Sequence, residues 1–135
     1  MASRNQTFTR ELKVMLVGPA LAGKTHFARS FYGDVGAEPV PEMYHCTIGV
    51  EVHPVNMQIG ETKVRFNLWE CAGKPEFRGL GDAVWLGADA FIVFDPTSVF
   101  GRECLAKIHR NYPQAKVLCW DEKRLAPVSL LQQLI

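Results

Sequence analysis

Eight consecutive residues, Gly18-Pro19-Ala20-Leu21-Ala22-Gly23-Lys24-Thr25, satisfy the pattern G-x-x-x-x-G-K-[ST]. About 0.005 such matches are expected by chance in a chain of this length. The chemistry is phosphate binding. Backbone N–H groups of Gly18, Ala20, Leu21, Ala22 and Gly23 can wrap a phosphate, and His26 follows them at the start of a helix. Lys24 can reach the terminal phosphates, and the Thr25 hydroxyl can ligate Mg²⁺. The pattern requires a preceding strand and a following helix, and both are written in the neighbouring residues.

The other residues with chemical potential form no comparable pattern. Cys46, Cys71, Cys104 and Cys119 lack metal-site spacing and read as reduced thiols of an intracellular protein. His26, His45, His53 and His109 have no partner at ligand or triad spacing. Trp69, Trp85 and Trp120 read as core or partner-surface aromatics. The net charge of +1 argues against a nucleic-acid binder. Apolar runs as short as Ala90-Phe91-Ile92-Val93-Phe94 exclude a membrane span, and neither end carries a lipidation signal. The chain reads as soluble and without a membrane anchor.

Positions 9–17 alternate and then turn solidly apolar, as a central strand does. Lys24 to Tyr32 carry helical spacing, with Phe27 and Phe31 four apart. Residues 33–46 read as a long functional loop. Ile48–Gln58 and Lys63–Glu70 are two strands joined as a hairpin through Ile59-Gly60-Glu61-Thr62. Gly73–Gly87 is irregular. Ala90–Asp95 is a buried strand, Arg102–Arg110 a helix, Lys116–Trp120 a strand and Pro127–Ile135 a short terminal helix. With 135 residues this is one domain, 1–135, with a flexible lead-in over 1–8. The fold class is α/β: a mostly parallel sheet with helices on both faces, the three-layer arrangement of a P-loop NTPase.

Thr47-Ile48-Gly49-Val50-Glu51-Val52-His53-Pro54, followed by Phe66-Asn67-Leu68-Trp69-Glu70-Cys71-Ala72-Gly73-Lys74, resembles the Ras superfamily of small GTPases, and within it the Ran branch. That branch writes T-L-G-V-E-V-H-P and F-N-V-W-D-T-A-G-Q at these places. Glu76-Phe77-Arg78-Gly79-Leu80 and Phe94-Asp95-Pro96-Thr97-Ser98 continue the likeness, which covers roughly 11–119. The resemblance implies a G domain binding GTP, GDP or other nucleotides with Mg²⁺. Thr47 would ligate Mg²⁺ and contact the γ-phosphate, and the Gly73 N–H would hold the same phosphate. Glu70 would hold a Mg²⁺-bound water. Lys24, Gly73 and Lys74 would be the catalytic positions. The implied partners are nuclear-transport receptors or Ran-binding domains, meeting Thr47–Pro54 and Phe77–Leu80, in nucleus and cytoplasm.

Departures from that pattern carry equal weight. Glu70 is one methylene longer than the family's Asp. Lys74 replaces the Gln that orients the attacking water, and it offers donors but no acceptor. Ala20 stands where the Ran branch has Gly, and Val40 replaces the aromatic that covers the base. Asp121-Glu122-Lys123-Arg124 replaces N-K-x-D, so the guanine-reading Asp is Arg124. The domain reads as truncated after the fifth strand, with Leu125, Val128, Leu130, Leu131, Leu134 and Ile135 folding back as a substitute helix. A second copy pairing on the fifth-strand edge is the alternative. Two functions follow: a slow switch indifferent to the base, or a non-hydrolysing Ran mimic acting as a decoy. Intact Lys24, Thr25 and Thr47 favour the switch over the mimic. A P-loop small-molecule kinase is disfavoured, since nothing resembles an Arg-rich lid.

Overall fold

The computed structural model describes residues 10–19, 22–31, 44–45, 50–71, 84–120 and 126–135. β1 (Arg10–Val17) is followed by α1 (Lys24–Arg29), β2 (Tyr44–His45), β3 (Val50–Ile59) and β4 (Thr62–Cys71). Then come β5 (Ala90–Phe94), α2 (Val99–Asn111), β6 (Lys116–Trp120) and α3 (Pro127–Gln132). The strands form one six-stranded sheet in the order β2-β3-β4-β1-β5-β6. β1 is parallel to both β4 and β5, β5 is parallel to β6, and the β2–β3 and β3–β4 pairs are antiparallel. The P-loop α/β fold is therefore the one the sequence implies.

The apolar run of β1 is explained by its place. It is central, so both faces are covered, and Val14, Met15, Leu16 and Val17 are all buried. Leu12, Val14 and Leu16 pack against Phe27, Ala28 and Phe31 of α1 and its exit. Met15 and Val17 point the other way, into a cluster with Cys104 and Ile108 of α2, Phe91, Val93 and Trp85. These two clusters are the interfaces of the three layers.

Several bounds differ from the sequence reading. α1 ends at Arg29 where the spacing carries it to Tyr32, and the terminal helix ends at Gln132 where it is expected to reach Ile135. α2 begins at Val99, three residues ahead of the expected start, because Ser98 caps it. Its Oγ accepts from the Gly101 N–H at 2.9 Å and donates to the Asp95 carbonyl at 2.7 Å. The loop expected over 33–46 contains β2, so the sheet has six strands where five were counted. Tyr44 and His45 pair with Val52 and Glu51, covering the first part of the edge that β3 presents. Two residues are too short a run for alternation to reveal.

The expected terminal helix is α3, which starts at Pro127 as a first-turn proline can. Leu130, Leu131 and Leu134 are buried on the α1 face, and Ile135 stays 39% exposed. Phe27 lies at the centre of this layer, with ring centroids 4.8 Å from Trp120, 5.4 Å from Phe94 and 5.5 Å from Phe31, each edge-on. Such pairs add about 0.5–1.5 kcal/mol beyond area burial. β6 is the last strand of the sheet order. Leu125, the lead-in 1–8 and the 73–83 part of the irregular segment lie outside the described residues.

Urea denaturation of Leu131→Ala should lose about 2–5 kcal/mol, the range for a buried Leu whose site collapses only in part. Ile135→Ala should stay within about 0.5 kcal/mol of wild type, because that side chain is already partly in water.

Candidate functional site

The loop at the end of β1 is shaped by two glycines. Gly18 has φ of +148°, and a Cβ there would come 2.5 Å from the Phe94 carbonyl oxygen of β5. Only glycine lets β1 leave the sheet this close to its neighbour. Gly23 has φ of +100° and turns the chain into α1, whose first bond runs from the Phe27 N–H to the Gly23 carbonyl at 2.9 Å. The exit lies at the carboxyl end of β1, which sits between β4 and β5, and open α/β sheets bind ligands outside the carboxyl ends of their strands.

Lys24 is buried, although lysine ordinarily stays in water. Its Nζ donates to the carbonyls of Gly18 at 2.8 Å and Pro19 at 2.7 Å. The ammonium is thus folded back along the loop, where it meets phosphates in a site of this kind. Ala22 is half-buried against the core, and His26 is exposed on α1.

Thr25 follows on the exposed side, and its hydroxyl donates to Oε2 of Glu70. Glu70 stands near the end of β4, directly opposite Glu51 of β3. His53 lies two residues beyond Glu51 on the same face, so the three side chains converge. The His53 Nε2 is 3.1 Å from Glu70 Oε1 and 3.6 Å from Glu51 Oε2. A carboxylate oxygen accepts, so a hydrogen bond to Glu70 needs the hydrogen on Nε2. The ligand atoms of Glu51, His53 and Glu70 lie within 4.8 Å of one another.

This corrects one expectation. His53 has Glu70 at hydrogen-bonding distance and Glu51 beside it, although no spacing within its own strand announces them. The hairpin register makes the cluster. Counting back from a two-residue turn at Gly60-Glu61 sets Glu51 opposite Glu70, so that signal was available in the sequence. Elsewhere the aromatics lie as expected. Trp85 is buried, Trp120 packs on Phe27, and the Lys13 ammonium sits 4.1 Å above the Trp69 ring.

Burial of Glu70 works to raise its pKa. Hydrogen bonds from His53 and Thr25, with the charges of His53 and Lys24, outweigh that and bring it below the ordinary value. The carboxylate is therefore ionised at neutral pH. A hydroxyl and an ionised carboxylate brought together beside a phosphate loop are hard oxygen donors, the set that suits Mg²⁺. Thr25 and Glu70 fit that ion.

Thr47, Gly73 and Lys74 lie outside the described residues, as do Ala20, Leu21, Val40, Phe77–Leu80 and Asp121–Arg124. The described half of the site unites the phosphate loop with Lys24, Thr25 and Glu70.

A glycine-bounded loop joining a central parallel strand to a helix, with a buried lysine folded along it, defines a P-loop nucleotide-binding protein. The Ras family model matches residues 13–128, and the chain belongs to the Ras family. It is a small-GTPase-type nucleotide-binding switch, in a family whose members bind guanine nucleotides and Mg²⁺. No helix among the described residues is long and apolar enough to cross a membrane.

A carboxyl whose folded pKa is depressed stabilises the fold above its unfolded value, and that contribution is lost as pH falls through the folded one. Glu70→Gln removes the titrating group. Its stability, measured by denaturation between pH 7 and pH 3, should therefore fall less steeply on acidification than that of wild type. Equal slopes would mean that Glu70 titrates normally.

Proposed function

We propose that the chain is a Ran-like switch that holds nucleoside di- and triphosphates with Mg²⁺ and discriminates little between bases. The observation carrying this reading is the convergence of Lys24, Thr25 and Glu70 on the loop, while Arg124 stands in the sequence where guanine needs a carboxylate. Lys24 neutralises the terminal phosphates, and backbone N–H groups of Gly23 and its neighbours hold their oxygens. Thr25 and Thr47 would hold Mg²⁺ through their hydroxyls and Glu70 through a water, and the ion would supply positive charge to the phosphates. The Gly73 N–H takes the γ-phosphate, so Thr47 and Gly73 respond to its presence. Thr47–Pro54 and Phe77–Leu80 are the sequence segments that meet transport receptors or Ran-binding domains on this reading, in nucleus and cytoplasm. The support for these partners is the sequence likeness over Thr47–Pro54.

Each hydrogen bond to a charged acceptor contributes about 1.5–3 kcal/mol. Replacing the Asp by Arg124 removes two of them, or roughly 10²- to 10⁴-fold of guanine preference. Calorimetric titration with Mg²⁺ and GDP, ADP, UDP or CDP should give affinities within tenfold of one another. A GDP preference above about 100-fold would identify Asp121 or Glu122 as a relocated guanine reader and end the relaxed-specificity reading.

Lys74 favours a second reading, a mimic that binds partners without turnover, because it cannot accept a hydrogen bond from the attacking water. On the switch reading, single-turnover hydrolysis should run no faster than on the order of 10⁻⁴ s⁻¹, and Lys74→Gln should raise it. An unassisted rate near 1 s⁻¹ would make Lys74 itself catalytic. Hydrolysis by neither protein would favour the mimic.

A further inference from the structure

We infer that His53 is a positioning residue for the metal-side carboxylate: its ring N–H holds one oxygen of Glu70 so that the other is presented to Thr25. This rests on the reading that Thr25 and Glu70 serve Mg²⁺ beside a bound nucleotide.

Glu70 has one more rotatable bond than the aspartate that the family resemblance implies at this place. A longer carboxylate must be restrained from outside, or its oxygen is spread over several rotamers. His53 supplies the restraint from below. It is fully buried and faces α1 from β3, one diagonal step from Glu70, so its ring has little room to turn. Glu70 Oε1 lies 3.1 Å from its Nε2, while Oε2 accepts from the Thr25 hydroxyl. The two oxygens are thus assigned to different partners. Glu51, 3.6 Å from the same nitrogen, favours a hydrogen on Nε2 and so holds the ring as a donor. Outer partners of this kind orient the groups that meet a metal, and their loss typically weakens metal binding by about 10- to 100-fold.

The test follows release of a fluorescent GDP analogue from the full chain at a series of free Mg²⁺ concentrations. His53→Ala should raise the Mg²⁺ concentration that half-maximally slows release by about tenfold or more. Release in excess chelator should match wild type, because the phosphate loop is untouched. His53→Gln, whose amide N–H can reach the same oxygen, should restore most of the effect. In a Glu70→Asp background, whose shorter carboxylate falls away from the ring, His53→Ala should shift the midpoint by less than twofold. Thermal melts accompany each variant, and His53→Leu replaces His53→Ala if the latter does not fold. A midpoint within twofold of wild type for the donor-less variant overturns the inference, as does an equal acceleration in chelator. Stoichiometric Zn²⁺ binding that His53→Gln abolishes would also overturn it, since the ring nitrogen would then be a ligand. Wild type that retains no nucleotide at any Mg²⁺ concentration removes the nucleotide reading itself, and the inference with it.

Discussion

The register of β3 against β4 is the constraint on which both the core and the site depend. Side chains alternate across a strand, so one residue of slip would exchange every inward group for an outward one. In the observed register Val55, Met57, Val64, Phe66 and Leu68 all enter the layer under α1. The same parity carries Glu51, His53 and Glu70 to that layer at the end of the hairpin nearest the phosphate loop. Packing and chemistry are thus set by one alignment. The apolar residues dominate it, since each fully buried one contributes about 1.5–3 kcal/mol. The polar trio follows the position that the apolar residues impose.

Charge at that end of the sheet is arranged as a chain of compensations. A buried ammonium is costly without partners, and Lys24 finds the carbonyls of Gly18 and Pro19. A partly buried carboxylate is costly as well, and Glu70 finds Thr25 and His53. Lys24 in turn lowers the pKa of Glu70 across the intervening space. The result is a carboxylate that remains ionised and a cation held along the loop, beside a crevice able to accept an anion with its counterion. Stability and binding draw on the same contacts.

The opposite face has a different task. α2 and the cluster of Met15, Val17, Phe91, Val93 and Ile108 bury the reverse side of β1 and β5, so the strands cannot tilt away from the loop they support. On the α1 face, α3 fills the space beside Phe27 and Trp120, with Leu131 at no exposure. Dense packing of this kind transmits small shifts, because interiors have few voids to absorb them. The phosphate loop therefore rests on a densely packed base, which Gly18 joins by passing close to Phe94.

Much of this was legible in the chain itself. The pattern from Gly18 to Thr25 declared the phosphate loop because local geometry alone requires those glycines and that lysine. Hydrophobic period located β1, β3, β4, β5 and β6, since burial on one or both faces writes a period of two or a solid apolar run. The start of α2 and the two-residue β2 were not legible, because a cap at Ser98 and an edge pairing at Tyr44–His45 leave no period to detect. The pairing of Glu51 with Glu70 can be counted back from the Gly60-Glu61 turn, but the contact of His53 with Glu70 needs the folded hairpin. Seventeen residues separate His53 from Glu70, and only the folded hairpin turns that separation into 3.1 Å. What local geometry and one-sided burial require is determined by sequence alone. Which distant polar groups meet is decided only in the tertiary structure, because it depends on the register and on which face each strand turns inward.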